Sequence, residues 1–121
     1  RMAAGHQHPE TIKSRRDFLA AARGKRWITP SFVLVTHKRA EDHPVKNVKR
    51  VGYTVTKKMG NAVARNRIRR RLRHAAAQIA PLHMKDGHDY IIISRDAALA
   101  CEFSALLRDM EFAFSRIHGN K

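Results

Sequence analysis

A chain of 121 residues and 13.8 kDa is one domain's worth of protein, and 43% hydrophobic residues supply one modest core, which excludes wholesale disorder. Twenty-five Lys and Arg against ten Asp and Glu leave a formal charge of +15, which calls for a polyanion partner, nucleic acid first and an anionic membrane surface second. The single cysteine, Cys101, excludes an internal disulfide and every multi-cysteine metal site, and fits a reducing cytoplasm.

Residues 1–10 are small and polar and read as a flexible tail ahead of one domain over 11–118. Met2 reads as the natural start, with Arg1 an added residue, and no charged-then-apolar stretch reads as a signal peptide. Thr11, or alternatively Ser14, caps a short helix carrying Phe18, Leu19 and Ala22, which Gly24 ends. Trp27-Ile28 is a brief extended piece, and Phe32 to Thr36 is a strand buried on both faces. Lys38 to Asn47, charged and containing Pro44, is expected as a surface loop.

From Val51 to Thr56 the residues alternate, with Val51, Tyr53 and Val55 on one face and Gly52, Thr54 and Thr56 on the other. The second face is small and polar, so it leaves room for something to lie against it. Gly60 permits a turn, Asn61 caps the next helix, and that helix is expected over about Ala62 to Ala80, stopping at Pro81. His83 to His88 is a loop, and Tyr90 to Ile93 is a central strand too short to cross a membrane, which needs ~20 apolar residues. Glu102 to Ile117 is an amphipathic helix with Phe103, Leu106, Leu107, Met110 and Phe114 inward, and Gly119 beyond its end. The fold class is α+β, about αβββαβα.

Charge is concentrated in one segment. Residues 43–85 contain twelve Lys or Arg and no acid, and so carry +12 of the +15. On the helix from Ala62, the apolar positions Ala64, Ile68, Leu72, Ala75 and Ile79 make a narrow stripe. Arg65, Arg69 and Arg73 flank it on one side and Arg67, Arg71 and His74 on the other, with Asn66 and Arg70 opposite.

An ordinary solvated face would interleave acids with bases at i,i+4, and this one has none. Lys57, Lys58 and Arg65 also crowd the helix start, where the dipole disfavours cations unless a phosphate is to be held there. The excess of arginine favours bidentate phosphate contacts and stacking on bases. The apolar stripe is too thin for a membrane-surface helix.

Lys57-Lys58-Met59-Gly60-Asn61-Ala62-Val63, then Arg65-Asn66-Arg67 and Arg69-Arg70-Arg71-Leu72-Arg73, resembles the signature of the bacterial ribonuclease P protein subunit. The strand before it, the Asp17-Phe18 helix and the Tyr90–Ile93 strand follow in the family's order, so the resemblance spans about residues 12–117. It implies a domain similar to the second domain of a small-subunit ribosomal protein, with a left-handed βαβ crossover. It also implies a cytoplasmic protein that joins a catalytic RNA, one protein per RNA, to remove the 5′ leader of precursor tRNA by endonucleolytic hydrolysis.

In that family Mg²⁺ is held mainly by the RNA, and none is expected on the protein alone. The resemblance assigns Lys57, Lys58, Asn61, Arg65, Asn66, Arg67, Arg69, Arg70 and Arg73 to the catalytic RNA. It assigns a cleft with Phe18, Val33, Val35 and Thr54 to the leader. Ala22 and Val35 stand where the family often has aromatic residues, which leaves Trp27 as the candidate substitute.

The eight histidines match no zinc spacing, and Asp86, Asp89 and Asp96 are too few for a two-metal nuclease. Cys101, at a helix start, has no His-plus-carboxylate arrangement and reads as a small packed residue. No catalytic side chain is expected. The alternatives are a non-catalytic ribosomal protein or assembly factor, which charge alone does not separate from the first reading, and a protein-only nuclease, which the missing carboxylates disfavour.

Overall fold

The computed structural model describes residues 10–118, so residues 1–9 of the expected tail and Gly119 lie outside the described residues. The elements in chain order are β1 (Glu10–Thr11), α1 (Arg15–Ala21), β2 (Lys25–Ile28), β3 (Phe32–Lys38), β4 (Arg50–Thr54), a single 3₁₀ turn (Lys57–Met59), α2 (Ala62–His83), β5 (His88–Ser94), α3 (Ala97–Ala100) and α4 (Phe103–Ile117). The strands form one mixed sheet in the order β1-β4-β5-β3-β2. β4 and β5 are parallel neighbours joined through α2, while β3 runs antiparallel to both β5 and β2.

Strand alternation divides the sheet into two faces with different partners. Phe32, Leu34, Val51, Tyr90 and Ile92 point to one side, where α2 and α4 cover them with Ile68, Leu72, Leu106, Met110 and Phe114. On the other side Val35 and Ile91 pack with Ile12 and Ala21 beneath α1. The small face foreseen on β4 is occupied by Phe18: a Cβ added at Gly52 would lie 2.7 Å from its ring. Gly24 is equally constrained, since a Cβ there would meet the Thr36 carbonyl oxygen at 1.9 Å.

Several expectations need correction. The first helix starts at Arg15, with Ser14 as its cap: the Asp17 N–H donates to Ser14 Oγ at 3.0 Å. Thr11 instead belongs to β1, a two-residue parallel bridge to β4 that is too short to leave a periodic signal. α2 runs through Pro81 to His83. A proline in a last turn forfeits only its own N–H bond, here to the carbonyl of Ala77, and two more residues complete the helix. The short α3 was also unforeseen; Cys101 caps its C-terminal end and directly precedes Glu102, the N-cap of α4.

The 38–47 segment is only partly a surface loop. Arg39 is buried and donates to Asp89 and to the Val45, Val48 and His88 carbonyls, fastening the loop to the end of β5. Arg50, 4% exposed, donates from Nε and Nη2 to the two oxygens of Asp89, each at 2.8 Å, and from Nη2 to Asp17 on α1 at 3.1 Å. Asp17 also bonds His43 at 3.1 Å. His43 and Arg50 hold the Asp17 carboxyl below its usual range against the opposing cost of burial. Two carboxylates, the buried Asp89 and the half-buried Asp17, thus tie β4, β5, α1 and the loop together through charge-assisted bonds.

Candidate nucleic-acid interface

α2 presents two sets of side chains. Ile68, Leu72, Ala75, Ala76 and Ile79 are buried, so the narrow stripe is the core seam expected of it. Asn61 closes the N-terminus: its Oδ1 accepts the Ala64 N–H at 2.9 Å, and its carbonyl accepts the Arg65 N–H at 2.9 Å. Gly60, at φ +128°, makes the preceding turn in backbone that favours glycine. Lys57 and Lys58 are exposed on that turn, a few residues before the N-terminus of α2.

The arginines fall into two groups. Asn66, Arg67, Arg70 and Arg73 are exposed, with Arg65 and Arg69 half-buried. Among the described residues none of them, nor Lys57 or Lys58, makes an ion pair with a carboxylate. Arg69 donates to Asn66 Oδ1 at 3.2 Å, and the Arg73 guanidinium lies 5.5 Å from the centroid of the Tyr53 ring. Burial pushes the Tyr53 phenol up to about 12, against the lowering effect of Arg73, so the ring stays neutral beneath that cation. Arg65 Nε is shielded from solvent without a hydrogen-bond partner.

Arg71 differs from its neighbours. It donates to the carbonyls of Ala98, at 3.1 Å, and Cys101, and its guanidinium lies 5.9 Å from the Phe103 ring. It joins α2 to α3 and α4 and is structural.

On the α1 side of the sheet, cross-strand pairing builds two rows. Gly52, Ile91 and Val35 lie under α1, whereas Thr54, Ile93, Val33 and Ile28 run uncovered from β4 to the edge strand β2. Thr54, Ile93 and Val33 are half-buried, and Ile28 is 64% exposed. Arg15, Phe18, Leu19 and Ala22 share the side of α1 that borders this open row, by their three- and four-residue spacing. Arg26, in register with Val35, is exposed at the far edge. The result is a groove with an apolar floor and a cationic rim.

Of the expected cleft residues, Phe18, Val33 and Thr54 border the groove, and Val35 does not. Val35 is 0% exposed beneath α1, because that short helix packs on β3 and covers the row. Trp27 is also misplaced by the sequence reading. It pairs with Leu34, so strand alternation turns it to the opposite face, 5.8 Å from Phe112 on α4. The groove gains Ile28, Ile93, Leu19 and the rim cations Arg15 and Arg26, which the sequence reading missed. Period-two counting back from Val33 would have found Ile28 only with the β2–β3 register in hand.

No three of His, Cys, Asp and Glu gather to hold a metal ion among the described residues. The two most buried acids nearest the groove, Asp17 and Asp89, are already bonded to arginines.

The family model described as Ribonuclease P matches residues 7–118. The ribonuclease P protein component of Paramagnetospirillum magneticum is 41% identical over 109 residues, covering 89% of this chain and 82% of that protein. That of Erythrobacter litoralis is 39% identical over 113 residues, covering 93% and 89%. Among solved structures, the RNase P protein of Thermotoga maritima superposes with a TM-score of 0.74 at 26% identity, covering 91% of this chain and 99% of that one. The Staphylococcus aureus protein gives 0.70 at 27%, covering 87% and 92%.

Proposed function

The chain belongs to the bacterial ribonuclease P protein family, as a component of a ribonucleoprotein endonuclease of tRNA processing and a partner of ribonuclease P RNA, and we propose that it divides its RNA contacts between α2 and the groove beside α1. The α2 surface holds the catalytic RNA. The groove holds the single-stranded 5′ leader of precursor tRNA. One protein serves one RNA, in the cytoplasm.

The observation that carries the first half is the set of cations from Lys57 to Arg73 that have no carboxylate partner among the described residues. Like charges so placed repel one another at i,i+3 and i,i+4, a cost that a stability-selected helix avoids and a phosphate backbone removes.

The second half rests on shape and chemistry. An extended strand needs a floor on which bases can stack and a rim that tracks phosphates, without strict sequence readout. Phe18 over Gly52 supplies the ring, and Arg15 and Arg26 the rim. In this reading Mg²⁺ would be held mainly by the RNA, where it would supply Lewis-acid activation of water and of the scissile phosphate. The protein's own work is binding and orientation.

The test is reconstitution. Adding the purified protein to a bacterial ribonuclease P RNA and precursor tRNA at low Mg²⁺ should raise cleavage at the mature 5′ end, while the protein alone cleaves nothing. No increase, or cleavage by RNA-free protein, contradicts this division of roles.

A further inference from the structure

Trp27 and Ile28 are successive residues on the edge strand β2, and they face opposite ways. Ile28 ends the open row of the groove, and Trp27 lies on the other side of the sheet against Phe112. Phe112 is 46% exposed on the outer surface of α4, and the Arg116 guanidinium sits 4.3 Å from its ring centroid. Two aromatic rings and a stacked guanidinium therefore adjoin the exit of the groove.

Electrostatics at this corner favour an anion. Lys25, Arg95 and Arg116 are exposed there, with Arg26 exposed on the groove side of β2, and Arg95 donates to the Thr29 carbonyl at 2.9 Å, which holds it beside the β2–β3 turn. The neighbouring acids already have partners: Asp109 accepts from Ser31 Oγ at 2.7 Å, and Glu111 bonds His83 at 2.7 Å. None of the four cations makes an ion pair among the described residues. Aromatic faces interleaved with free cations are what a single-stranded nucleic acid uses, whereas a protein partner would leave these charges to be matched by acids of its own.

We propose that Trp27, Phe112 and Arg116 form a second single-strand RNA contact, which takes the upstream part of a long leader after it crosses the β2 edge. This rests on the groove holding the leader. The row from Thr54 to Ile28 spans three strand spacings, roughly 14 Å, so a short leader ends within the groove and a long one emerges at Ile28.

The experiment uses the reconstituted holoenzyme and two precursor tRNAs, with leaders of about 5 and about 15 nucleotides, bracketing the usual single-strand site size. Phe112→Ala and Arg116→Glu should each weaken binding of the long-leader precursor by about 5- to 10-fold, the loss of roughly one stacked base, and leave the short-leader precursor within about 2-fold. Phe112→Trp, which keeps a ring, should restore the difference. Loss of affinity for neither precursor, or equal loss for both, overturns the proposal, as does a change only in self-association of the free protein. Phe18→Ala separates this from the groove itself: if it spares both precursors while Phe112→Ala weakens the long one, the groove assignment fails and the second contact stands.

Discussion

Arginine does opposite work in two regions of this domain. Arg39 and Arg50, beneath α1, are buried and bonded to Asp89, Asp17 and backbone carbonyls. Arg67 and Arg70, on α2, are exposed and have no carboxylate partner among the described residues. Arg50 and Arg67 come from the same acid-free stretch of sequence, so local charge density does not separate them. What separates them is whether the fold brings an acid from elsewhere: it brings Asp17 and Asp89 to Arg50 on β4 and, among the described residues, none to Arg67 or Arg70. A cation completed by the fold maintains the scaffold, and a cation left incomplete is available to a partner.

The sharpest way to break this contrast is to remove the buried acid. Asp89→Ala leaves the buried Arg39 without a carboxylate and Arg50 with Asp17 alone, and stability to urea should drop by about 3–5 kcal/mol. Replacing Arg67 and Arg70 by Ala should do the reverse: stability within about 0.5 kcal/mol of the parent, as for surface substitutions, but weaker assembly with ribonuclease P RNA in a binding titration. If the Asp89 variant and the Arg67/Arg70 double variant altered stability alike, the division between scaffold and partner arginines would collapse.

Phe18→Ala sharpens the groove half. It should leave assembly with the catalytic RNA nearly intact and weaken leader-bearing precursor by ~1 kcal/mol, the low end for a stacked base, because Ala22 and the buried Val35 add no rings. Mature tRNA is the control and should be unaffected. Equal weakening of both RNAs would make Phe18 a packing residue only.

The smallest expected effect concerns pH. His118 shares a 2.6 Å hydrogen bond with Tyr90 Oη, and burial, with help from Lys85, His88 and Lys25, pushes its pKa down to about 4. The unfolded chain takes up this proton near the ordinary histidine value and the folded one resists it, so stability is lost as pH falls from ~6.5 toward 4. His118→Gln should flatten that part of the stability profile. An unchanged profile would show that other groups set it.

Much of this was legible in the sequence, and the failures have physical causes. The core seam of α2, its Asn61 cap, the three longer strands and α4 follow from periodicity and capping chemistry, which act within a few residues. The basic face is legible for the same reason: the absence of acids is a local property. Arg39, Trp27 and Val35 were misjudged because their environments depend on pairing. Arg39 looks like loop charge until Asp89 arrives from fifty residues away. The facing of Trp27 depends on the β2–β3 register, and the burial of Val35 on where α1 lands.

The measurement that bears most directly on the partner arginines is the salt dependence of binding to ribonuclease P RNA. With about six to eight cations of the 57–73 segment neutralising phosphates, log affinity should fall against log salt with a slope of roughly −4 to −7, and Arg67→Ala with Arg70→Ala should make it shallower by about 2. A slope near −1, or one that the double substitution leaves unchanged, would mean that α2 simply faces solvent.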